Sequence, residues 1–162
     1  MADDKVEELF SEYAVKTAAV QAEQERVQAA ETARNLEFGR VVRDTILPAL
    51  DLLAANLREK GCKVTTSTAG PGTGGDENFS HPRAKIEIWH PARESDAPAT
   101  FEATFIYGTN GPNFNGRKRL RAANAKGEFS QPFDPTSLEK DTIRDLVLGQ
   151  FRAVLLDVGG SK

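Results

Sequence analysis

The sequence predicts an α+β fold: a long N-terminal helix with the character of a coiled-coil arm, a second helix, an antiparallel sheet of three to five strands, and a C-terminal helix packed on the sheet. Three observations carry that expectation. No Gly or Pro interrupts residues 2–38, where Val6, Tyr13, Val20 and Val27 recur every seven residues. Turn-forming pairs such as Asn110-Gly111 then divide a series of short alternating segments. Near the end, an Asp-Pro turn opens a stretch with an apolar stripe at helical spacing.

The leading helix comes first. A strict seven-residue apolar repeat keeps one narrow seam facing another helix, which suits self-association or docking better than burial inside a globule. The seam reads Val6, Leu9/Phe10, Tyr13, Thr17, Val20, Gln24, Val27 and Ala30/Glu31, firm at one heptad position and largely polar at the other. Such a helix depends on tertiary contacts for most of its stability. Residues 1–38 are therefore expected to form an arm for oligomerisation or partner docking, and residues 39–162 an α+β domain. The competing reading is an amphipathic helix lying on its own sheet.

A second helix is expected from Arg40 to Lys60, with a broader apolar face at Val41, Val42, Ile46, Leu47, Leu50, Leu53, Ala54 and Leu57. Pro48 cannot donate to the carbonyl of Asp44, so a kink or a fresh helix start is predicted there. Gly61 fits a left-handed C-cap. Strands follow at Lys63–Thr68, Ala84–His90, Thr100–Tyr107 and Arg117–Ala123, with a further one at Gly127–Phe133. Phe101, Ala103, Phe105 and Tyr107 alternate with Glu102, Thr104 and Ile106, giving one face to a core. Thr136 and Glu139 have the spacing of a capping box for the last helix, 137–158, whose apolar positions are Ile143, Leu146, Val147, Val154, Leu155 and Val158.

Between the first two strands, the glycine-rich loop 69–80 is expected to be flexible. Gly70, Gly72 and Gly75 satisfy G-x-G-x-x-G, but that fingerprint needs a helix to open directly behind it and aim its N-terminus at a pyrophosphate. Pro82 and a β-rich segment follow instead, so a hairpin loop is the expected role and no cofactor is predicted.

Composition narrows the functional classes. The 162 residues carry a net charge of −3, one cysteine and two histidines. Cys62 alone excludes an intrachain disulfide, and an acidic N-terminus without an apolar run points to the cytoplasm. No stretch approaches the ~20 apolar residues of a membrane span. Acyl-transfer chemistry would have to use His81 or His90, and neither sits in a recognisable motif. A metal site would have to gather His81, His90, Cys62 and Asp76 or Glu77 from distant segments, without the close ligand spacing of common zinc sites. The carboxylates occupy ordinary solvated positions, and Cys62 beside a helix C-terminus suits a buried structural thiol. A non-catalytic protein is expected.

Charge is unevenly spread. Residues 1–38 hold nine acidic against four basic side chains, whereas Arg117, Lys118, Arg119 and Arg121 put four cations in five residues. On one strand, Arg117, Arg119 and Arg121 would share a face with guanidinium groups about 7 Å apart, near phosphate spacing. The alternative is an edge strand whose charges block aggregation or pair with acidic residues.

The stretch Asp134-Pro135-Thr136-Ser137-Leu138-Glu139-Lys140-Asp141, with the helix after it, resembles the opening of the last helix in YbaB-type nucleoid-associated proteins. The likeness covers about twenty residues; the kinked second helix and the glycine loop have no counterpart in it. That resemblance implies a small dimer ordered long helix, antiparallel strands, helix. Taken together, the expected function is a cytoplasmic binding or adaptor protein that self-associates through Val6, Tyr13, Val20 and Val27 and holds a protein partner with its α+β domain. Nucleic-acid binding through Arg117, Lys118, Arg119 and Arg121 is the alternative.

Overall fold

The computed structural model describes residues 2–76, 78–91, 99–119 and 127–159. In chain order these form α1 (Ala2–Val41), a π-helical turn (Val42–Ile46), α2 (Leu47–Glu59), β1 (Lys63–Ala69), β2 (Arg83–Trp89), β3 (Phe101–Gly108), β4 (Gly111–Lys118), β5 (Glu128–Pro132), a 3-10 turn (Pro135–Ser137) and α3 (Lys140–Gly159). The α+β architecture is the expected one, with five antiparallel strands in the order β1-β2-β3-β4-β5. Two compact units divide the chain, Met1–Arg34 and Asn35–Lys162. The boundary lies ahead of Phe38 because Asn35 and Phe38 are already buried in the second unit; Phe38 packs its ring against Tyr107 and Phe133, at centroid distances of 5.6 and 5.9 Å.

Pro48 explains the π turn. The Leu47 N–H donates to the Val42 carbonyl, five residues back, which widens the helix just before the proline and relieves the crowding its ring would cause. The helical path continues into α2, so the predicted disturbance takes the form of a bulge. Val42, Ile46, Ala49, Leu50, Leu53 and Ala54 are buried along this path. Gly61 ends α2 as predicted, with φ +90°, while the Cys62 N–H reaches the Leu57 carbonyl at 3.1 Å and the Gly61 N–H reaches that of Arg58 at 3.0 Å.

Alternation then sorts the strands into two faces. Ala84, Ile86, Ile88, Phe101, Ala103, Phe105 and Phe114 point into the core shared with α2 and α3, where Ile143, Val147, Phe151 and Val154 cover them. Phe105 stacks on Phe114 at 4.5 Å, and Phe101 meets Phe151 edge-on at 5.5 Å.

Two local expectations are corrected. The strand expected at Arg117–Ala123 begins earlier, at Gly111, and residues 120–126 lie outside the described residues. Asn110-Gly111 makes the tight turn, pairing Gly108 with Gly111, and Asn115-Gly116, a pair of the same turn-forming type, runs inside β4. Gly116 is needed there for space: a Cβ would stand 2.0 Å from the Glu102 carbonyl oxygen. Second, the Thr136–Glu139 box does not form. Asp134 instead caps the 3-10 turn ahead of α3, accepting from the Thr136 N–H at 2.9 Å and hydroxyl at 2.7 Å, so the Thr136 side chain is engaged as a donor. Within the glycine loop, Thr73 is buried with its hydroxyl donating to the Gly70 carbonyl at 2.7 Å, and the Gly70 N–H donates to the Asp76 carbonyl at 2.7 Å. Glycine lets backbone approach backbone on both sides here, since a Cβ on Gly75 of the loop would lie 2.0 Å from the Thr68 carbonyl oxygen and one on Gly39 of α1 would lie 1.9 Å from the Pro71 carbonyl oxygen.

Candidate self-association surface and the basic segment

Every described side chain from Asp3 to Arg34 is exposed. Val6, Tyr13, Val20 and Val27 are 52, 66, 58 and 49% exposed, and Leu9 and Phe10 are open as well. Large apolar groups scattered singly on a surface need no explanation; a row of them every second turn does. Around the middle of the row, Tyr13, Lys16, Thr17, Val20, Gln21 and Gln24 line a shallow depression. These positions form two overlapping sets at i, i+3, i+4 and i+7, the arrangement that receives a knob from a facing helix.

The polar seam position is less of an obstacle than its composition suggests. Thr17 donates its hydroxyl to the Tyr13 carbonyl at 2.8 Å within the helix, which leaves its methyl group for packing. Beside the seam, Glu23 accepts from Arg26 Nε at 3.0 Å, and this guanidinium holds the Glu23 carboxyl below its ordinary range. The pair is solvent-exposed and worth little in stability.

In the second unit, the three described cations of the basic segment have different surroundings. Arg117 lies on the sheet face opposite α2 and α3, directly across from Glu102, and bonds Glu128 at 3.1 Å on its other side. Lys118 points to the opposite face, where its Nζ donates to Gln150 Oε1 of α3 at 3.1 Å. Arg119, just past β4, donates from Nε to the Ala99 carbonyl at 2.9 Å. Arg121 lies outside the described residues. β4 is an interior strand, because β5 pairs along it from Asn113 to Arg117.

The outer sheet face carries a row that the linear reading did not assemble. Register places Thr65, Glu87, Glu102, Arg117 and Glu128 side by side across all five strands. Glu87 and Glu102 would repel each other directly across the strands, but Lys85 Nζ stands 3.8 Å from one and 3.7 Å from the other. Alternation of polar with apolar residues in β2 and β3 was the available signal; the partners across strands depend on register.

Candidate catalytic and metal-binding groups do not converge. His81 and His90 flank β2, so they stand roughly 30 Å apart along the strand. Asp76 bridges to Ala69 near the His81 end, whereas Cys62 precedes Lys63, which pairs with Trp89 at the other end. Glu77 lies outside the described residues, among which no group of three or more His, Cys, Asp and Glu could hold a metal ion. Cys62 is buried, and burial pushes its thiol pKa up, which disfavours the reactive thiolate. No described helix is long and apolar enough to cross a membrane. No protein family, curated protein or solved structure matches this chain.

Proposed function

We propose that this is a non-catalytic cytoplasmic adaptor that self-associates through α1 and presents its α+β unit to a protein partner. The observation that carries the proposal is the exposed seam: Val6, Tyr13, Val20 and Val27, each about half exposed or more, repeat at seven-residue intervals on a helix unbroken from Ala2 to Val41. Burying such a row against a second helix stabilises by roughly 25 cal/mol per Å² of apolar surface removed from water, and no other element of the first unit supplies that surface. The outer face of the sheet is the surface offered to the partner. Its acidic and basic groups pair with one another, so recognition there would depend on shape and matched hydrogen bonds more than on net field.

The test is mass in solution. Val20→Asp with Val27→Asp should reduce the mass measured by light scattering while the sheet unit keeps its unfolding transition; an unchanged mass would remove the proposal. A nucleic-acid role draws less support, because Arg117 is flanked by Glu102 and Glu128, and Lys118 and Arg119 already donate within the fold. Intact protein is expected to give no salt-sensitive retardation of DNA or RNA. Retardation that vanished when Arg117, Lys118, Arg119 and Arg121 became Ser would reverse that preference.

A further inference from the structure

The same seam carries information about direction, and this step rests on reading it as a self-association surface. With Val6, Tyr13, Val20 and Val27 at one core position of the heptad, Phe10, Thr17, Gln24 and Glu31 take the other. In a parallel, in-register pair each residue meets its twin. Phe10 would face Phe10, Tyr13 would face Tyr13, and Glu31 would face Glu31. The acidic ends would also lie together, since Asp3, Asp4, Glu7, Glu8 and Glu12 are opposed only by Lys5.

An antiparallel pair that alternates the two core positions removes all of these conflicts. Phe10 then lies beside Val27 of the second copy, Tyr13 beside Gln24, and Thr17 beside Val20, so each large ring meets a smaller or more flexible side chain. The acidic end, residues 3–12, meets residues 25–34, where two cations (Arg26, Arg34) balance two anions (Glu25, Glu31). In this arrangement the flanking positions bring Lys16 of each copy beside Glu23 of the other, and two-fold symmetry repeats the contact. Glu23 is already ionised against Arg26, so Lys16 would complete a row of alternating sign. The depression lined by Tyr13, Lys16, Thr17, Val20, Gln21 and Gln24 sits at the centre of this alignment, where the Thr17–Val20 layers cross.

We propose that two copies of this chain pair antiparallel along the α1 seam, centred between Ala18 and Ala19. The measurement is a dipolar distance between spin labels placed on the solvent-facing side, in Glu8→Cys and separately in Ala29→Cys, with light scattering on the labelled samples. Native Cys62 is 7% exposed and does not compete for label. Residues 8 and 29 are equally far from the proposed centre, so both samples should give about 31 Å between backbones, from 21 residues at 1.5 Å each, broadened by the label arms. A dimer with labels under about 20 Å at both positions would overturn the orientation and leave self-association standing. A monomer mass with no dipolar coupling would overturn both. As a second check, Lys16→Glu should weaken the dimer and Lys16→Glu combined with Glu23→Lys should restore it; a parallel pair would not show that rescue.

Discussion

Helix α1 contributes to two regions that treat the same residue types differently. Phe38 and Val42 come near its end and are 3 and 0% exposed, whereas Val20 and Val27 on the same helical path are about half exposed. Intrinsic preference does not separate them, because all sit in unbroken helical backbone. The second unit supplies a sheet, with Phe105, Phe114 and Phe133 clustered near Phe38, and the first unit supplies only helix. Burial is thus a property of what surrounds a side chain. The same seven-residue row that is unpartnered within the first unit would count as core once a second helix lay along it.

The largest effect that tests this contrast is a cavity in the sheet unit. Phe114 is fully buried between Phe105 and Phe129, at centroid distances of 4.5 and 5.2 Å. Phe114→Ala should cost about 3–5 kcal/mol, read as a fall in the urea midpoint followed by fluorescence of Trp89, the single tryptophan. Val20→Ala in the first unit should move that midpoint by under about 0.5 kcal/mol. Equal losses from the two substitutions would mean that the regions are not energetically distinct.

A smaller effect probes how the second unit begins. Alanine is the better helix former, yet Gly39→Ala should destabilise by about 1–3 kcal/mol, because the new Cβ would press on the Pro71 carbonyl, which is backbone and cannot swing aside. Gly149→Ala is the opposite case. Nothing lies within 4 Å of its Cβ position on α3, so it should stabilise by up to about 1 kcal/mol. Thermal unfolding of the two variants side by side checks both signs.

These two glycines also show how far the sequence could be read. The element types followed from local signals: period seven in α1, alternation in β3, a glycine stop after α2. Pro48 was legible as a disturbance, since a missing N–H is a local fact, whereas its resolution as a π turn depends on how Val42 and Ile46 are packed. The roles of Gly39 and Gly116 were not legible, because each is set by a carbonyl far away in sequence, on Pro71 and Glu102. The setting of Arg117 was not legible for a similar reason: β4 ends at Lys118, and register places Arg117 between two glutamates. The apolar seam, by contrast, was visible in full, as a periodicity within one helix needs no information from elsewhere.

The smallest expected effect concerns one carboxylate in each unit. Asp134 is held below the usual carboxylate range, first by the Thr136 hydroxyl and then by the Thr136 N–H, where it caps the turn that leads into α3. A group whose folded pKa is depressed contributes its stabilisation above its unfolded pKa and loses it as pH falls through the lowered folded value. The urea midpoint of the sheet unit should therefore decline as the pH falls from about 5 to about 2, and part of that decline should disappear in Asp134→Asn, which keeps an acceptor oxygen but does not titrate. Glu23 is depressed for the same kind of reason, by Arg26, but it belongs to the first unit. Glu23→Gln should leave the Trp89-reported acid decline unchanged while weakening the dimer through the loss of its contact with Lys16 of the second copy. If Glu23→Gln altered the sheet transition as much as Asp134→Asn, the two units would be one cooperative body, and the exposed seam would need a different explanation.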